Sequence, residues 1–245
     1  MSSRPASLNL PSKSEINRCG KYLQQFYMPE GEWDGEWDED RVDHAIKVVS
    51  DFRAAHAYPM TKVRLGLESM VRTAGVYPAV SQRHKRVPRI IRKLHRMQNT
   101  MLARLEDIGG CRAIVADGEE LERLRARIMR YWKPHLKRDP RDYIEFPKAI
   151  GYRAVHFVVT RDDRAIEVQL RTRGQQQWAD AVEAIDARID LSLKDGVGPE
   201  PLVQYFACAG ELIHTREYGK PFRPHLISDF EAARDEVVRL GYYSG

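Results

Sequence analysis

Apolar residues in the first part of the chain recur at the spacing of α-helices. Ser12 stands three residues before Glu15, a capping-box pair that predicts a helix from about Ser14 to Phe26. Intervals of three and four predict a second helix over 40–56, whose buried face would carry Val42, Ile46, Val49 and Phe52. After a break at Tyr58-Pro59, residues 63–71 continue as a further helical stretch.

Strand patterns appear after Gly109-Gly110. Residues 111–116 read as a short buried strand, and two β-rich runs at 153–160 and 165–172 predict a hairpin. Helical spacing returns over 119–132, 173–191, 202–215 and 229–240. Helices followed by interleaved strands and helices predict an α/β (α+β) fold.

Length and composition narrow the class of protein. The 245 residues suit a flexible arm over 1–11, one domain over 12–216 and a helical tail over 217–245. Hydrophobic residues make up 42% and charged residues 31%, which is ordinary for a globular protein and too apolar for a disordered one. The glycine-broken acidic repeat at 31–38 is expected to be a solvated loop.

Cysteine usage and hydropathy predict a cytoplasmic protein that is not a membrane protein. Cys19, Cys111 and Cys208 are odd in number and share no close spacing, which argues against a disulfide framework and a zinc site of the CxxC type. The polar start has no apolar signal core, and no run approaches ~18 apolar residues. The net charge of +5 permits a polyanionic partner without requiring one.

The second strand of the hairpin alternates apolar and polar residues. Glu167, Gln169 and Arg171 therefore share one face, which is either the wet side of a sheet or the lining of a polar cleft. The nearby Arg153 and His156 favour the cleft. Asp107, just before the two glycines, either caps a turn or joins Glu167 in binding a divalent cation, since Mg²⁺ prefers oxygen ligands.

Two further segments carry cations. Residues 82–96 are strongly basic and contain no acidic residue, so the segment is either a solvated face or a contact for polyphosphate or nucleic acid. Pro88 fits the first turn of a helix, which would leave 83–86 in the loop before it. In the loop over 147–153, Tyr152 is either a platform for a nucleobase or a packed aromatic residue.

Four ordered motifs together resemble the synthetase domain of the RelA/SpoT family, the pyrophosphokinases that make alarmone nucleotides. The motifs are Arg83-His84-Lys85-Arg86 with Lys93, Asp107-Ile108-Gly109-Gly110-Cys111-Arg112, the run from Asp142 through Pro147-Lys148 and Gly151-Tyr152-Arg153 to His156, and Glu167-Val168-Gln169-Leu170-Arg171-Thr172 with Trp178-Ala179. The resemblance implies a mixed sheet flanked by helices, related to nucleotidyltransferases. It also implies transfer of the β,γ-pyrophosphate of ATP to a ribose 3′-hydroxyl.

The resemblance assigns roles residue by residue. It implies that Arg83 stacks on adenine and that Lys85 and Lys93 hold the ATP phosphates. Asp107 and Glu167 would be the catalytic residues that bind Mg²⁺, with Glu167 also drawing the proton from the attacking hydroxyl. The acceptor would be bound by Tyr152, stacked on its base, with Lys148 and His156 nearby. No His-Asp dipeptide occurs, so the alarmone hydrolase domain of long family members is not expected.

The N-terminal motif over residues 12–21 and the segment over residues 50–59 resemble the toxic small alarmone synthetases, some of which modify the 3′ CCA end of tRNA and are held in check by an antitoxin. The leading hypothesis is therefore a translation-inhibiting toxin, expected to be a monomer with a protein antitoxin as partner. Lys13, Arg18 and Lys21 are candidate tRNA contacts, and Ile150 and Ala154 replace the Asn and Ser common in guanosine-using members. The alternatives are a (p)ppGpp or (p)ppApp synthetase using free nucleotides, and an RNA-binding relic of the fold.

Overall fold

The computed structural model describes residues 10–26, 38–76, 78–189, 193 and 196–242. The predicted N-terminal arm, apart from its last two residues, lies outside this part of the chain. So does the acidic repeat, apart from Asp38.

A mixed five-stranded sheet and eight α-helices make up the regular structure of the described residues, which confirms the predicted α/β class. The helices are α1 (Lys13–Gln25), α2 (Glu39–Ala54), α3 (Ala57–Thr73), α4 (Val87–Arg96), α5 (Gly118–Trp132), α6 (Arg173–Ile189), α7 (Glu200–Glu217) and α8 (Leu226–Arg239). The strands are β1 (Ala79–His84), β2 (Gly109–Val115), β3 (Arg141–Asp142), β4 (Val155–Arg161) and β5 (Arg164–Thr172), in the sheet order β1-β2-β5-β4-β3.

Local sequence signals account for several element boundaries. The Ser12 hydroxyl accepts a hydrogen bond from the Glu15 backbone N–H over 3.2 Å and so caps α1 as predicted. Between β4 and β5, Asp162 and Asp163 both have positive φ, at 48° and 59°. Two such residues in succession form the type I′ turn that matches the twist of a two-residue hairpin.

Three local predictions are wrong. Residues 83 and 84, expected in a loop, belong to β1, whose mostly polar and exposed side chains give no alternating apolar signal. Tyr58-Pro59 does not separate two helices, because α3 begins at Ala57 and Pro59 falls in its first turn, where a missing N–H costs nothing. Ile46, expected on the buried face of α2, is 42% exposed.

The first of two compact units comprises the described residues of 1–66, 81–111 and 158–167. Its core joins α1, α2 and α4 to the segment before β2. Gly20 lets α1 approach that segment closely, because a Cβ there would lie 2.8 Å from Leu102 Cβ. Beside it, the Asn17 Oδ1 accepts a hydrogen bond from the Ala103 N–H over 2.9 Å. The Asn17-to-Gly20 part of the N-terminal motif thus holds the chain that leads to Asp107.

The second unit comprises the described residues of 67–80, 112–157 and 168–245. Its core includes Trp178 of α6 and Phe206 of α7, and the Trp178 Nε1 donates to the Phe206 carbonyl over 2.8 Å. Gly151 has a φ of +89°, and Gly210 of α7 packs directly on it. A Cβ at Gly210 would lie 2.4 Å from the Gly151 carbonyl oxygen, so α7 fixes the loop before Tyr152.

Within the described ranges, every helix is too short or too polar to cross a membrane.

Candidate active site

One carboxylate and two lysines form the centre of a candidate phosphate and metal site in the first unit. Lys85 follows β1, Lys93 lies in α4 and Asp107 precedes β2. Both ammonium groups donate to the Asp107 Oδ2, that of Lys93 over 2.7 Å. The three side chains are 17–22% exposed. The structure thus brings together three residues that the sequence predicted to act on ATP and Mg²⁺.

Electrostatics keep the Asp107 carboxylate charged. Burial by itself raises the pKa of Asp107, but Lys85 and Lys93 outweigh it and hold that pKa below its ordinary value. Burial lowers the pKa of Lys85, with a further contribution from Lys93, while Asp107 and Glu167 oppose the shift. A carboxylate with two cationic partners stays ionised at neutral pH.

Two backbone hydrogen bonds fix the position of Lys85. Its N–H donates to the Ile108 carbonyl over 2.9 Å. The Nε of Arg53, in α2, donates to the Lys85 carbonyl over 2.8 Å. Sequence reasoning missed Arg53, because a side chain that binds a distant backbone carbonyl leaves no motif in the chain.

Glu167 lies on β5 beside Gly110, the third residue after Asp107. A Cβ at Gly110 would lie 3.4 Å from the Glu167 carbonyl oxygen and 3.9 Å from its Cβ. The charge of Glu167 also contributes to the pKa of Lys85. Glu167 therefore belongs to the same neighbourhood as the Asp107 cluster.

The donor atoms suit a hard cation. The Asp107 Oδ2 accepts from both lysines, whereas its Oδ1 is buried and has no hydrogen-bond partner within the described structure. A buried carboxylate oxygen without a partner is costly unless a cation or water meets it. With Glu167 it offers the one or two carboxylates that a nucleotide-bound Mg²⁺ ordinarily takes. Arg83, predicted to stack on adenine, is exposed near the end of β1, two residues before Lys85.

The predicted acceptor residues meet in the second unit, where Tyr152 is not an open platform. Its ring is 8% exposed and makes edge-on contacts with Tyr143, His156 and Trp178 at centroid separations of 5.4–6.0 Å. Lys148 is exposed, and its Nζ lies 5.5 Å from the Tyr152 ring centroid. The structure therefore has the packed aromatic residue that was the alternative prediction for Tyr152. Tyr143, part of the same motif, carries the outer and less buried ring.

The polar face predicted for β5 is only partly exposed to solvent. Glu167 and Gln169 are half-buried, but Arg171 is 4% exposed. The expectation of a solvated or cleft-lining Arg171 is wrong, because its guanidinium donates to the Tyr152 hydroxyl over 2.9 Å and to the Gln176 side chain over 3.0 Å.

The candidate tRNA contacts are exposed on α1 but do not form one narrow stripe. At about 100° per residue, Lys13, Arg18 and Lys21 spread over about 140° of the helix circumference. Arg18 is paired with Glu15 on the same helix.

Comparison with known proteins agrees with these motifs. Residues 82–188 match the model of a region found in RelA / SpoT proteins. The bifunctional (p)ppGpp synthase/hydrolase SpoT of Escherichia coli is 29% identical over 135 residues, which are 55% of this chain and 19% of that protein. A probable GTP diphosphokinase, RSH3 of Arabidopsis thaliana chloroplasts, is 33% identical over 109 residues, 44% of this chain and 15% of that protein. The chain thus spans less than one fifth of the length of these curated relatives.

The fold is shared with small alarmone synthetases. The structure of small alarmone synthetase 1 from Bacillus subtilis, bound to its product pppGpp, superposes with a TM-score of 0.58 at 20% identity, covering 78% of this chain and 99% of that one. The match of residues 82–188 to the RelA / SpoT region confirms the resemblance predicted from the motifs.

Proposed function

We propose that the protein is a pyrophosphokinase that transfers the β,γ-pyrophosphate of ATP to a ribose 3′-hydroxyl. The observation that carries the proposal is the Asp107 cluster. Two lysines share one carboxylate oxygen while the other oxygen of the same carboxylate is buried without a partner. This arrangement suits a metal-bound polyphosphate, because phosphoryl-type transfer needs positioning and charge stabilisation rather than a nucleophilic side chain.

The charges of the cluster suit a site that binds metal and nucleotide together. Asp107 and Glu167 carry two negative charges, and Lys85 and Lys93 carry two positive ones, so the four groups sum to zero. A divalent cation alone would therefore be attracted less strongly than by two carboxylates without cationic partners. The ATP phosphates would bring the missing negative charge and draw the ammonium groups of Lys85 and Lys93 away from Asp107.

Each residue then has a definite task. Lys85 and Lys93 would hold the phosphates of ATP, and Asp107 and Glu167 would hold Mg²⁺, which when bound neutralises charge on the transferred group. Glu167 would also accept the proton of the attacking hydroxyl. Arg83, exposed near the end of β1, would stack on adenine.

On the acceptor side, Lys148, Tyr152 and His156 would bind the nucleotide that receives pyrophosphate. The Lys148 ammonium lies 5.5 Å from the Tyr152 ring centroid and Tyr152 is only 8% exposed, so stacking of a base on that ring would require both movement of Lys148 and repacking of the ring. After that movement, the Lys148 ammonium group would bind a phosphate of the acceptor.

As acceptor we propose the 3′ end of tRNA. Ile150 and Ala154, in the acceptor segment, are 1% and 0% exposed and present no polar group that would read a guanine edge. The exposed Lys13, Arg18 and Lys21 of α1 supply cations of the kind that bind an RNA backbone. Pyrophosphate on the tRNA 3′ end would block aminoacylation, so the protein would act as a toxin of translation and need a protein antitoxin.

Free purine nucleotides are the second candidate acceptors. The relatives named above favour guanosine nucleotides, because one is a (p)ppGpp synthase and another a probable GTP diphosphokinase. Adenosine nucleotides acting as acceptors would make this chain a (p)ppApp synthetase instead.

A labelling assay separates these acceptors. The protein is incubated with γ-labelled ATP, Mg²⁺, deacylated tRNA, GDP, GTP and AMP, and the labelled species are resolved. Label on tRNA is the expected result, and label on free nucleotides alone would reject the tRNA proposal. No transfer to any acceptor, together with retained RNA binding, would reject the pyrophosphokinase and favour an RNA-binding relic.

A further inference from the structure

Arg171 is a buried cation whose hydrogen-bond partners are neutral. Its guanidinium donates to the Tyr152 hydroxyl over 2.9 Å and to the Gln176 Oε1 over 3.0 Å. Its central carbon lies 5.2 Å from the Tyr152 ring centroid, within the range of a cation–π contact. A 4% exposed charge is expensive to bury, and these contacts with Tyr152 and Gln176 offset part of that cost. Because Arg171 contacts Tyr152 both by a hydrogen bond and by its ring, its role is expected to involve Tyr152.

The donors and acceptors favour one direction for the hydrogen bonds. A guanidinium can only donate, so the Tyr152 oxygen accepts from Arg171. The positive charge of Arg171 makes the phenol a stronger hydrogen-bond donor, which favours donation of its proton to the His156 Nε2, 2.6 Å away. In that direction the Nε2 accepts, and the neutral imidazole would carry its proton on Nδ1.

The same network continues on α6. The Gln176 Nε2 donates to the Asp180 Oδ1 over 2.6 Å, which orients the amide so that its Oε1 faces Arg171. The half-buried Gln176 side chain thus helps to hold the buried guanidinium in place. Gln176 therefore offers a way to disturb Arg171 without removing it from the core.

We infer that Arg171 is a positioning residue for the acceptor site. It holds the Tyr152 phenol in place and, through that phenol, holds His156 in the tautomer that presents Nδ1–H as its donor. The inference rests on the proposed function, in which Tyr152 and His156 bind the acceptor. Because Arg171 is only 4% exposed, we expect it to contact neither ATP nor the acceptor directly, and to affect the use of the acceptor and not that of ATP.

A double-mutant cycle tests whether Arg171 acts through the phenol. Arg171→Met, Tyr152→Phe and the double variant are compared for kcat and for the KM of each substrate, using the acceptor that wild type labels. Arg171→Met should lower kcat/KM for the acceptor by roughly tenfold to a hundredfold and leave the KM for ATP unchanged. In the Tyr152→Phe background it should change kcat/KM by no more than about twofold. Equal losses in both backgrounds would overturn the inference.

A matched control and a milder variant guard against a general folding defect. Arg173, exposed at the start of α6, is changed to Met as the control and should leave both substrates unaffected. Gln176→Leu should lower kcat/KM for the acceptor by about threefold, with the loss again absent in the Tyr152→Phe background. A Gln176→Leu protein as active as wild type would count against the network.

A spectroscopic measurement keeps the inference separate from the proposed function. Two-bond ¹H–¹⁵N spectra report which nitrogen of His156 carries the proton. Wild type should show the proton on Nδ1, and both Arg171→Met and Tyr152→Phe should give a mixture of tautomers. An unchanged tautomer in Arg171→Met would refute the inference even if the protein transfers pyrophosphate. The predicted tautomers would support the network even if no transfer were found, in which case only the proposed function would fail.

Discussion

The two halves of the proposed reaction are held by different forces. In the first unit, Asp107 and its two lysines are partly exposed and joined by ion pairs. In the second unit, Tyr152 sits among aromatic rings, and the glycine before it is packed against α7. Charge holds the proposed donor site, whereas close packing holds the proposed acceptor site.

This difference predicts which changes each half tolerates. An ion-pair cluster can exchange partners when a nucleotide arrives, so it should respond mainly to changes of charge. Apart from the buried Arg171, the packed aromatic cluster should respond to changes of shape, because interiors do not accommodate even one extra methyl group without strain. The predictions below test the contrast from the largest expected effect to the smallest.

Asp107→Asn should have the largest effect. It keeps the shape of the side chain but removes the charge that Lys85 and Lys93 share, and with it a carboxylate oxygen for Mg²⁺. Pyrophosphate transfer should fall by on the order of a thousandfold or more. Asp163→Asn, the same chemical change at the exposed hairpin turn, is the matched control and should keep full activity. Substantial transfer by Asp107→Asn would show that the Asp107 cluster is not the donor site.

Gly210→Ala should damage the second unit by shape alone. The new Cβ would lie 2.4 Å from the Gly151 carbonyl oxygen, so the loop or α7 has to shift. We expect the free energy of unfolding to fall by about 1–3 kcal/mol and the acceptor KM to rise, with binding of an ATP analogue retained. Chemical denaturation and steady-state kinetics measure the two effects. Gln204→Ala, exposed on the same helix, is the control. Loss of ATP binding with an unchanged acceptor KM would contradict the idea that packing in the second unit supports the acceptor site.

Each unit also contains a buried histidine that should make it sensitive to acid. Burial lowers the pKa of His56 to about 4, with Arg164 and His84 adding to the shift and the Phe52 carbonyl opposing it. Burial likewise lowers the pKa of His214 to about 4, helped by Arg153 and Lys220.

The direction of the pH effect follows from proton binding. Between about pH 6.5 and pH 4 the unfolded chain takes up protons on these histidines and the folded chain does not, so stability should fall as the pH falls. The loss approaches about 3 kcal/mol for each histidine. Urea unfolding at several pH values should show a shallower slope in His56→Leu and no change in His135→Leu, an exposed control. A free energy of unfolding that is constant over this range would show that the histidines titrate normally.

The smallest effect is expected on α1. Lys13→Ala combined with Lys21→Ala should weaken tRNA labelling by roughly tenfold or less. The slope of log affinity against log salt concentration should also become shallower, by the equivalent of up to about two phosphate contacts. Labelling of a free nucleotide should not change, since these side chains are exposed on a helix that carries no predicted catalytic residue. Unaltered tRNA labelling at every salt concentration would mean that α1 does not contact tRNA.

The fold was predictable where periodicity and turn chemistry agree. The Ser12 cap, the buried strand after Gly109-Gly110 and the β4–β5 hairpin all follow from short-range patterns. The strand β1 escaped prediction because its mostly polar, exposed side chains carry no alternating apolar signal. The two residues of β3 are too few to give any pattern.

The site was predictable in its residue types but not in its surroundings. The motifs identify Asp107, Lys85 and Lys93, and the structure brings them together. Nothing in the chain shows that Arg53 binds the backbone of Lys85, because that contact joins α2 to a residue 32 positions away. Burial of Tyr152 likewise depends on α6, whose Trp178 packs against its ring.

The by-product formed from ATP tests the central claim most directly. The protein is incubated with Mg²⁺, ATP labelled on the adenine and the acceptor that takes up label, and AMP and ADP are quantified against the modified acceptor. Transfer of an intact pyrophosphoryl group predicts one AMP for each modified acceptor, and none in Asp107→Asn. ADP formed in step with the acceptor would contradict the account, because it would mean that a single phosphoryl group is transferred.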